Sequence, residues 1–349
     1  MKKYQIAEIS GEHAHAGTKA TEDVIRIAET EGFEPLYVRM NDTKEGTFHK
    51  INRQIQFAKD WSNAFKKIES GSLVLLQHPF HYPQLTREKI LVRLKKDKKV
   101  RFLSIVHDVE ELRNLGKEEY HKHEFEFMLQ IADVFIVHND VMKKFFVSKG
   151  VPEEKLIVLG IFDYLRESWN KNIPVFERSV TIAGNLDVKK SAYLGKLPEI
   201  NCQFHLYGPN YSLGEAKNVD YGGVLLPDRI PGVLTRGFGL IWDGTSIESC
   251  QGGFGDYLRY NNPHKLSLYL SSGLPVIIWN QAAEAGFVKE HGVGFTVASL
   301  NDLPKLMKQM TEEDYQKTAE KVSYISQKLI HGEYMKKAIR MAMDSIKED

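Results

Sequence analysis

The sequence predicts an α/β protein of two Rossmann-like domains, each a doubly wound parallel sheet. Three observations lead there. Short, continuously apolar runs alternate with amphipathic ones from Tyr4 to Leu159, and strands buried on both faces belong to parallel sheets covered by helices. The alternation lapses into the polar, Pro-containing stretch Glu167–Arg178 (ESWNKNIPVFER) and then resumes. The 349 residues are also about two domains' worth of chain.

In order, Tyr4–Ser10 reads as a strand. It follows Met1-Lys2-Lys3, but its apolar stretch is too short for a signal-peptide core. Thr18–Glu31 reads as helix, Glu34–Arg39 as strand, Phe48–Lys67 as helix and Leu73–Gln77 as a buried strand. Thr86–Lys96 is helix, Arg101–Val106 strand, Tyr120–Ile131 helix, Val134–His138 strand, Asp140–Lys149 helix and Leu156–Leu159 strand. After the linker, Ser179–Ala183, Cys202–Tyr207, Gly239–Trp242 and Val276–Trp279 read as strands with helices between them. Leu303–Met310, Glu312–Leu329 and Tyr334–Lys347 close the chain as helices. The expected domains are 1–168 and 179–330. Residues 331–349 form a helix expected to pack back on the first domain. Two such halves with a helical tail point to the GT-B arrangement of nucleotide-sugar glycosyltransferases, with a cleft between the domains.

Composition excludes several classes. A net charge of +1 argues against a dedicated nucleic-acid binder. Cys202 and Cys250 make neither a disulfide framework nor a zinc pattern, which fits a reducing compartment, so the expected location is cytoplasmic. No run reaches the roughly 18 apolar residues of a membrane span.

The most informative segment is Gly255–Pro275 (GDYLRYNNPHKLSLYLSSGLP). An Asn-rich turn opens a short apolar helix, Leu266–Leu270, and a helix N-terminus with unpaired N–H groups attracts phosphate. His264 and Lys265 fall in its first turn, with Asn261 and Asn262 as caps or donors. A lysine is unfavourable at that end unless an anion joins it, so this reads as a diphosphate cradle. Strand ends supply the other candidates: Gly184 and Asn185, Tyr207 and Gly208, and Asp243 before Gly244. Each also reads as an ordinary turn. In the first half, His107 and Asp108 end a buried strand. Asp108 could take the proton of an acceptor hydroxyl, or simply cap the following segment. The loop Gly11–Lys19 holds Glu12, His13 and His15 as reserve bases; two His at that spacing without an acidic cluster argue against a metal. Gln77, His78 and Phe80 end the third strand, where an aromatic platform for an acceptor sugar is conceivable. Arg87, Lys89, Arg93, Lys95, Lys96, Lys98, Lys99 and Arg101 form a basic stretch, which could meet anionic lipid or be a solvated helix face.

Together these motifs resemble the bacterial β-1,6-galactofuranosyltransferases of O-antigen and surface-polysaccharide assembly. The resemblance is strongest over Phe238–Gly273 (GLIWDG, GDYL, YNNPHK, SLYLS). It extends to Gly17-Thr18-Lys19-Ala20, Ile105–Leu112 (IVHDVEEL), Ile161–Leu165 (IFDYL) and Ala183-Gly184-Asn185-Leu186. A more distant likeness links the chain to the GT-B glucosyltransferases that modify serine-rich streptococcal adhesins. The resemblance implies an inverting, metal-independent transfer from UDP-galactofuranose to an oligosaccharide or lipid-linked glycan, with no cofactor. It implies that Gly184, Asn185, Tyr207, Asp243, Asn262, His264 and Lys265 line the donor site, faced by Gly17, Lys19, His107 and Asp108, with Asp163 near the cleft. The Glu12–His15 stretch matches nothing in the family pattern, and a Glu-x7-Glu motif of retaining enzymes is not evident. Peripheral contact with the inner membrane and homo-oligomerisation stay open. So do a glucosyl or galactopyranosyl donor and a non-catalytic, UDP-sugar-binding partner subunit.

Overall fold

In the computed structural model, residues 1–10, 16–40, 44, 46–80, 82–113, 118–167 and 173–348 are described. The first half runs β1 (Lys3–Ser10), α1 (Ala16–Thr30), β2 (Glu34–Met40), α2 (Thr47–Lys67), β3 (Leu73–His78), α3 (Arg87–Lys98), β4 (Arg101–Val106), α4 (Glu110–Arg113), α5 (Glu118–Ile131), β5 (Val134–Val137), α6 (Asp140–Ser148) and β6 (Leu156–Val158). Its strands pair in parallel in the order β2-β1-β3-β4-β5-β6. β3 and β5 are buried throughout, which is why they read as unbroken apolar runs rather than alternating ones. The second half runs β7 (Val175–Ala183), β8 (Gln203–Tyr207), β9 (Val219–Tyr221), β10 (Arg236–Ile241), α7 (Gly253–Tyr257), α8 (His264–Ser271), β11 (Val276–Trp279), α9 (Ala285–His291), β12 (Gly294–Val297), α10 (Leu303–Gln309), α11 (Glu312–Ile330) and α12 (Glu333–Glu348). These strands are also all parallel, in the order β12-β11-β10-β7-β8-β9.

The chain divides into two compact units. Unit 1 holds Met1–Ala14, Thr21–Leu159 and Met335–Asp349; unit 2 holds His15–Ala20 and Gly160–Tyr334. Residues 160–167 thus fold with the second unit, whereas the sequence reading ended the first domain at 168. α12 belongs almost wholly to unit 1. Met335, Ala338, Ile339, Ala342 and Ile346 are buried along one face, Arg340 clasps Glu31 through two bonds of 2.8 and 2.7 Å, and Arg101 donates to the Ile346 carbonyl.

Three expectations need correction. The linker is shorter than read, because β7 begins at Val175. There Arg178 ties the sheet to the Met307 and Met310 carbonyls at 2.8 and 3.0 Å. The crossover between β7 and β8 is not an α-helix but a 3₁₀ segment, Ala192–Glu199, with Pro198 inside it. β9 and β12 were missed, since three or four residues carry too little pattern to register.

Half of the basic stretch is spent inside unit 1. Arg87 is 3% exposed and donates to Glu124 at 2.5 Å. Lys95 meets Asp133 at 2.9 Å, and Lys98 satisfies the Phe65 and Ile68 carbonyls at the end of α2. Lys89, Arg93, Lys96 and Lys99 remain exposed, so the basic run is divided between internal ties and a solvated helix face.

Candidate functional site

In an open parallel sheet, ligands gather beyond the carboxyl ends of the strands where the strand order reverses. In unit 2 that point lies between β7 and β10. β7 ends at Gly184 and β10 at Trp242-Asp243, and both meet Lys265 from the first turn of α8. The Lys265 ammonium sits 2.6 Å from Asp243 Oδ1, and its Cε is the first atom a Cβ at Gly184 would meet, at 3.4 Å. A Cβ at Gly184 would stand in ordinary van der Waals contact with the lysine, and it is the φ of 144° that calls for glycine there. The electrostatic penalty read from the sequence is real, but Asp243 already offsets it. An ammonium has three donors, so Asp243 orients the group without using it up.

The caps differ from expectation. The N-cap of α8 is Pro263, which has no side-chain hydrogen bond to offer. Asn262 instead ties the turn to Gly160, donating to its carbonyl at 3.0 Å, while its buried Oδ1 has no partner. His264 keeps some exposure, but its Nε2 is enclosed and unpartnered. Its ring lies against Phe162 and Tyr164, with centroids 5.9 and 5.7 Å away. Burial, and secondarily the Lys19 ammonium, depress its pKa to about 4. His264 is therefore neutral near pH 7 and adds no positive charge to the cradle. The second cation is Lys19, 8% exposed, which donates to the Leu165 carbonyl at 2.9 Å and lies 4.9 Å over the Tyr164 ring. Gly17 precedes it in the same turn of α1. Tyr164 was missed within IFDYL; an aromatic beside an acid in an apolar run was the available signal.

The depressed His264 makes a pH prediction. The unfolded chain takes up this proton near pH 6.5 and the folded one only near 4. Stability is therefore unaffected above about pH 6.5, falls as pH drops towards 4 and levels off below, by at most about 3 kcal/mol. Urea midpoints should fall more gently over this window in His264→Gln than in the native chain. Parallel pH curves would refute the assignment.

The remaining donor-site candidates sit at neighbouring strand ends. Gly184 and Gly208 both have φ of 144°, and a Cβ on Gly208 would overlap the Gly184 carbonyl, so β7 and β8 end in glycine-to-glycine contact. Tyr207 packs its ring over Gly222, where any side chain would clash. Asn185 is exposed, and its Oδ1 accepts from Asp187 N and Asn210 Nδ2, both at 3.0 Å; this is the turn reading. Asp163 is buried and accepts from Tyr334 N at 3.3 Å, where the chain enters α12. Tyr269 also escaped the sequence reading: its hydroxyl accepts the Ala183 N–H at 2.8 Å beneath the Gly184 turn. Asn261 stands in the turn just before α8.

In unit 1 the order reverses between β1 and β3. Gln77 at the end of β3 accepts from His107 Nε2 at 2.7 Å, while its own Nε2 donates to Thr21 O at 3.3 Å. That pairing places the His107 proton on Nε2. His107 N donates to His78 O at 2.8 Å. Asp108 is half-exposed, with Arg113 Nη1 3.2 Å from its Oδ2 and the same nitrogen 2.6 Å from Glu110. Arg113, five positions on in IVHDVEELR, was not singled out from sequence. His78 and Phe80 are not an open platform. His78 is buried, 3.8 Å from Glu124, and one face of the buried Phe80 ring carries the Arg87 guanidinium at 4.4 Å. His13, with Glu12 and His15, lies outside the described residues. Among the described residues no group of three His, Cys, Asp or Glu side chains is placed to hold a metal ion.

Known proteins resemble this chain along nearly its whole length. A family model described as the glucosyltransferase 3-like N-terminal domain matches residues 3–161, and its C-terminal counterpart matches 180–342. The β-1,6-galactofuranosyltransferase WbbI of Escherichia coli (strain K12) is 32% identical over 99% of both chains. Glucosyltransferase 3 of Streptococcus gordonii is 24% identical over 92% of each. The crystal structure of Anabaena HepE in complex with UDP superposes with a TM-score of 0.59 at 13% identity, covering 99% of this chain and 100% of that one.

Proposed function

The chain belongs to the glucosyltransferase 3-like family, glycosyltransferases of GT-B fold, and on that premise we propose that it moves galactofuranose from UDP-galactofuranose to a glycan hydroxyl with inversion. The observation that carries the donor half is the Lys265 ammonium, oriented by Asp243 against the side-chain-free Gly184 at the reversal point of unit 2. The diphosphate would lie on the uncapped start of α8, with its charge met by Lys265 and the helix N–H groups. No metal is needed in this reading. The acceptor hydroxyl attacks the anomeric carbon as the bond to the UDP oxygen breaks, and its proton passes to the Asp108 carboxylate. Gln77 holds His107 in one tautomer, which suits it to hydrogen-bond a sugar. The proposed acceptor is an oligosaccharide of surface-polysaccharide assembly, and the β-1,6 linkage in the name of WbbI is favoured.

Two results test this. UDP release is measured from UDP-galactofuranose, UDP-galactopyranose and UDP-glucose with a panel of glycosides and EDTA present. Acceptor-dependent release from the furanose donor is expected. Release from UDP-glucose instead would move the chain to the streptococcal activity, which its 24% identity to that enzyme keeps as the second reading. Release abolished by EDTA would refute metal independence. Separately, Lys265→Ala should weaken UDP binding by about 1–3 kcal/mol in calorimetry, the scale of a lost charge-assisted hydrogen bond. Undiminished affinity would remove the cradle.

A further inference from the structure

Unit 1 carries an apolar face that stands exposed among the described residues. At the start of α2, Phe48, Ile51 and Ile55 are 70%, 54% and 63% exposed. Steps of three and four residues put them on one side of the helix. Phe57, Asp60, Trp61 and Ala64 supply the buried side. Gln54 donates to Pro83 O at 2.8 Å and accepts from Leu85 N at 3.0 Å, which pins the 80% exposed Leu85 beside this face. Helical periodicity carries the same side on to Lys59 and Lys66, both exposed. The one acid of α2, Asp60, is buried and accepts from Arg39 N at 2.9 Å. The exposed surface of α2 therefore carries cations and no carboxylate.

We propose that this face docks on an anionic phospholipid surface. Phe48, Ile51, Ile55 and Leu85 enter the head-group layer, and Lys59 and Lys66 lie against the lipid phosphates. Apolar insertion and a cationic border are the two signals that stable interfacial binding requires. Pairing of two copies through this face would set the lysines of one against those of the other. The site lies on α2, apart from the α3 stretch whose sequence fits either anionic lipid or a solvated helix face, and it does not depend on which sugar is transferred.

Co-sedimentation with vesicles of phosphatidylcholine mixed with phosphatidylglycerol, beside pure phosphatidylcholine, tests the proposal. The native chain should bind the anionic vesicles, and salt should release it. The double variants Phe48→Ser/Ile55→Ser and Lys59→Gln/Lys66→Gln should each weaken binding by about tenfold or more. Unchanged thermal melting is expected of both, since all four side chains are exposed. No binding to anionic vesicles, or variants that bind as the native chain does, would overturn it. Sedimentation equilibrium supplies the rival outcome: a native dimer that Phe48→Ser/Ile55→Ser makes monomeric would give the face to a second copy.

Discussion

Gly208→Ala is expected to cost about 3–5 kcal/mol of stability and to take UDP binding with it. The residue sits at φ 144°, where side chains are strained, and a Cβ would overlap the carbonyl oxygen of Gly184. Left-handed strain and overpacking each cost about 1–3 kcal/mol. The obstacle is backbone, so it cannot rotate aside as a side chain would. Relief requires moving the Gly184 peptide, whose N–H donates to Tyr207 O at 3.0 Å and whose Cα borders Lys265. The strand ends that carry the donor candidates would shift together. Gly286→Ala is the control: it lies in α9 with nothing near the new methyl, so it should be neutral or stabilising by up to about 1 kcal/mol. A urea midpoint for Gly208→Ala equal to that of the native chain would show that this packing does not hold.

Asp108→Asn should lower kcat about 10²- to 10⁴-fold, the usual size of a lost general base, and leave UDP affinity near its native value. Asparagine keeps the shape and an oxygen for Arg113 but takes no proton at neutral pH. Arg113 stabilises the ionised carboxylate at 3.2 Å, and Glu110 shares that arginine at 2.6 Å, so its charge is only partly spent on Asp108. A variant with native turnover would move the base elsewhere. A variant that loses UDP affinity in proportion to kcat would make Asp108 a structural residue.

Much of this was legible without coordinates. The strands announced themselves because buried parallel strands are uninterrupted apolar runs, and the turns after them stood out by glycine and asparagine. The motif Tyr260–Lys265 marked the start of α8 for the same reason. The misreadings share one cause. Arg87 and Lys98 look like surface charge in a helical pattern, yet one faces Glu124 and the other faces two carbonyls, partners distant in sequence. Phe80 reads as a platform until Arg87 covers it.

The sequence by itself determined the two-part α/β architecture and the loops that hold the chemistry, because both follow from local periodicity and turn preferences. Tertiary structure decided which loops meet and what charge each group bears. Strand order set Gly184 beside Asp243 and brought Lys265 to both. Burial against Phe162 and Tyr164, with Lys19 nearby, made His264 neutral. Adjacency in a sheet and loss of solvent around a side chain are properties of the packed chain, and no local run of residues contains them.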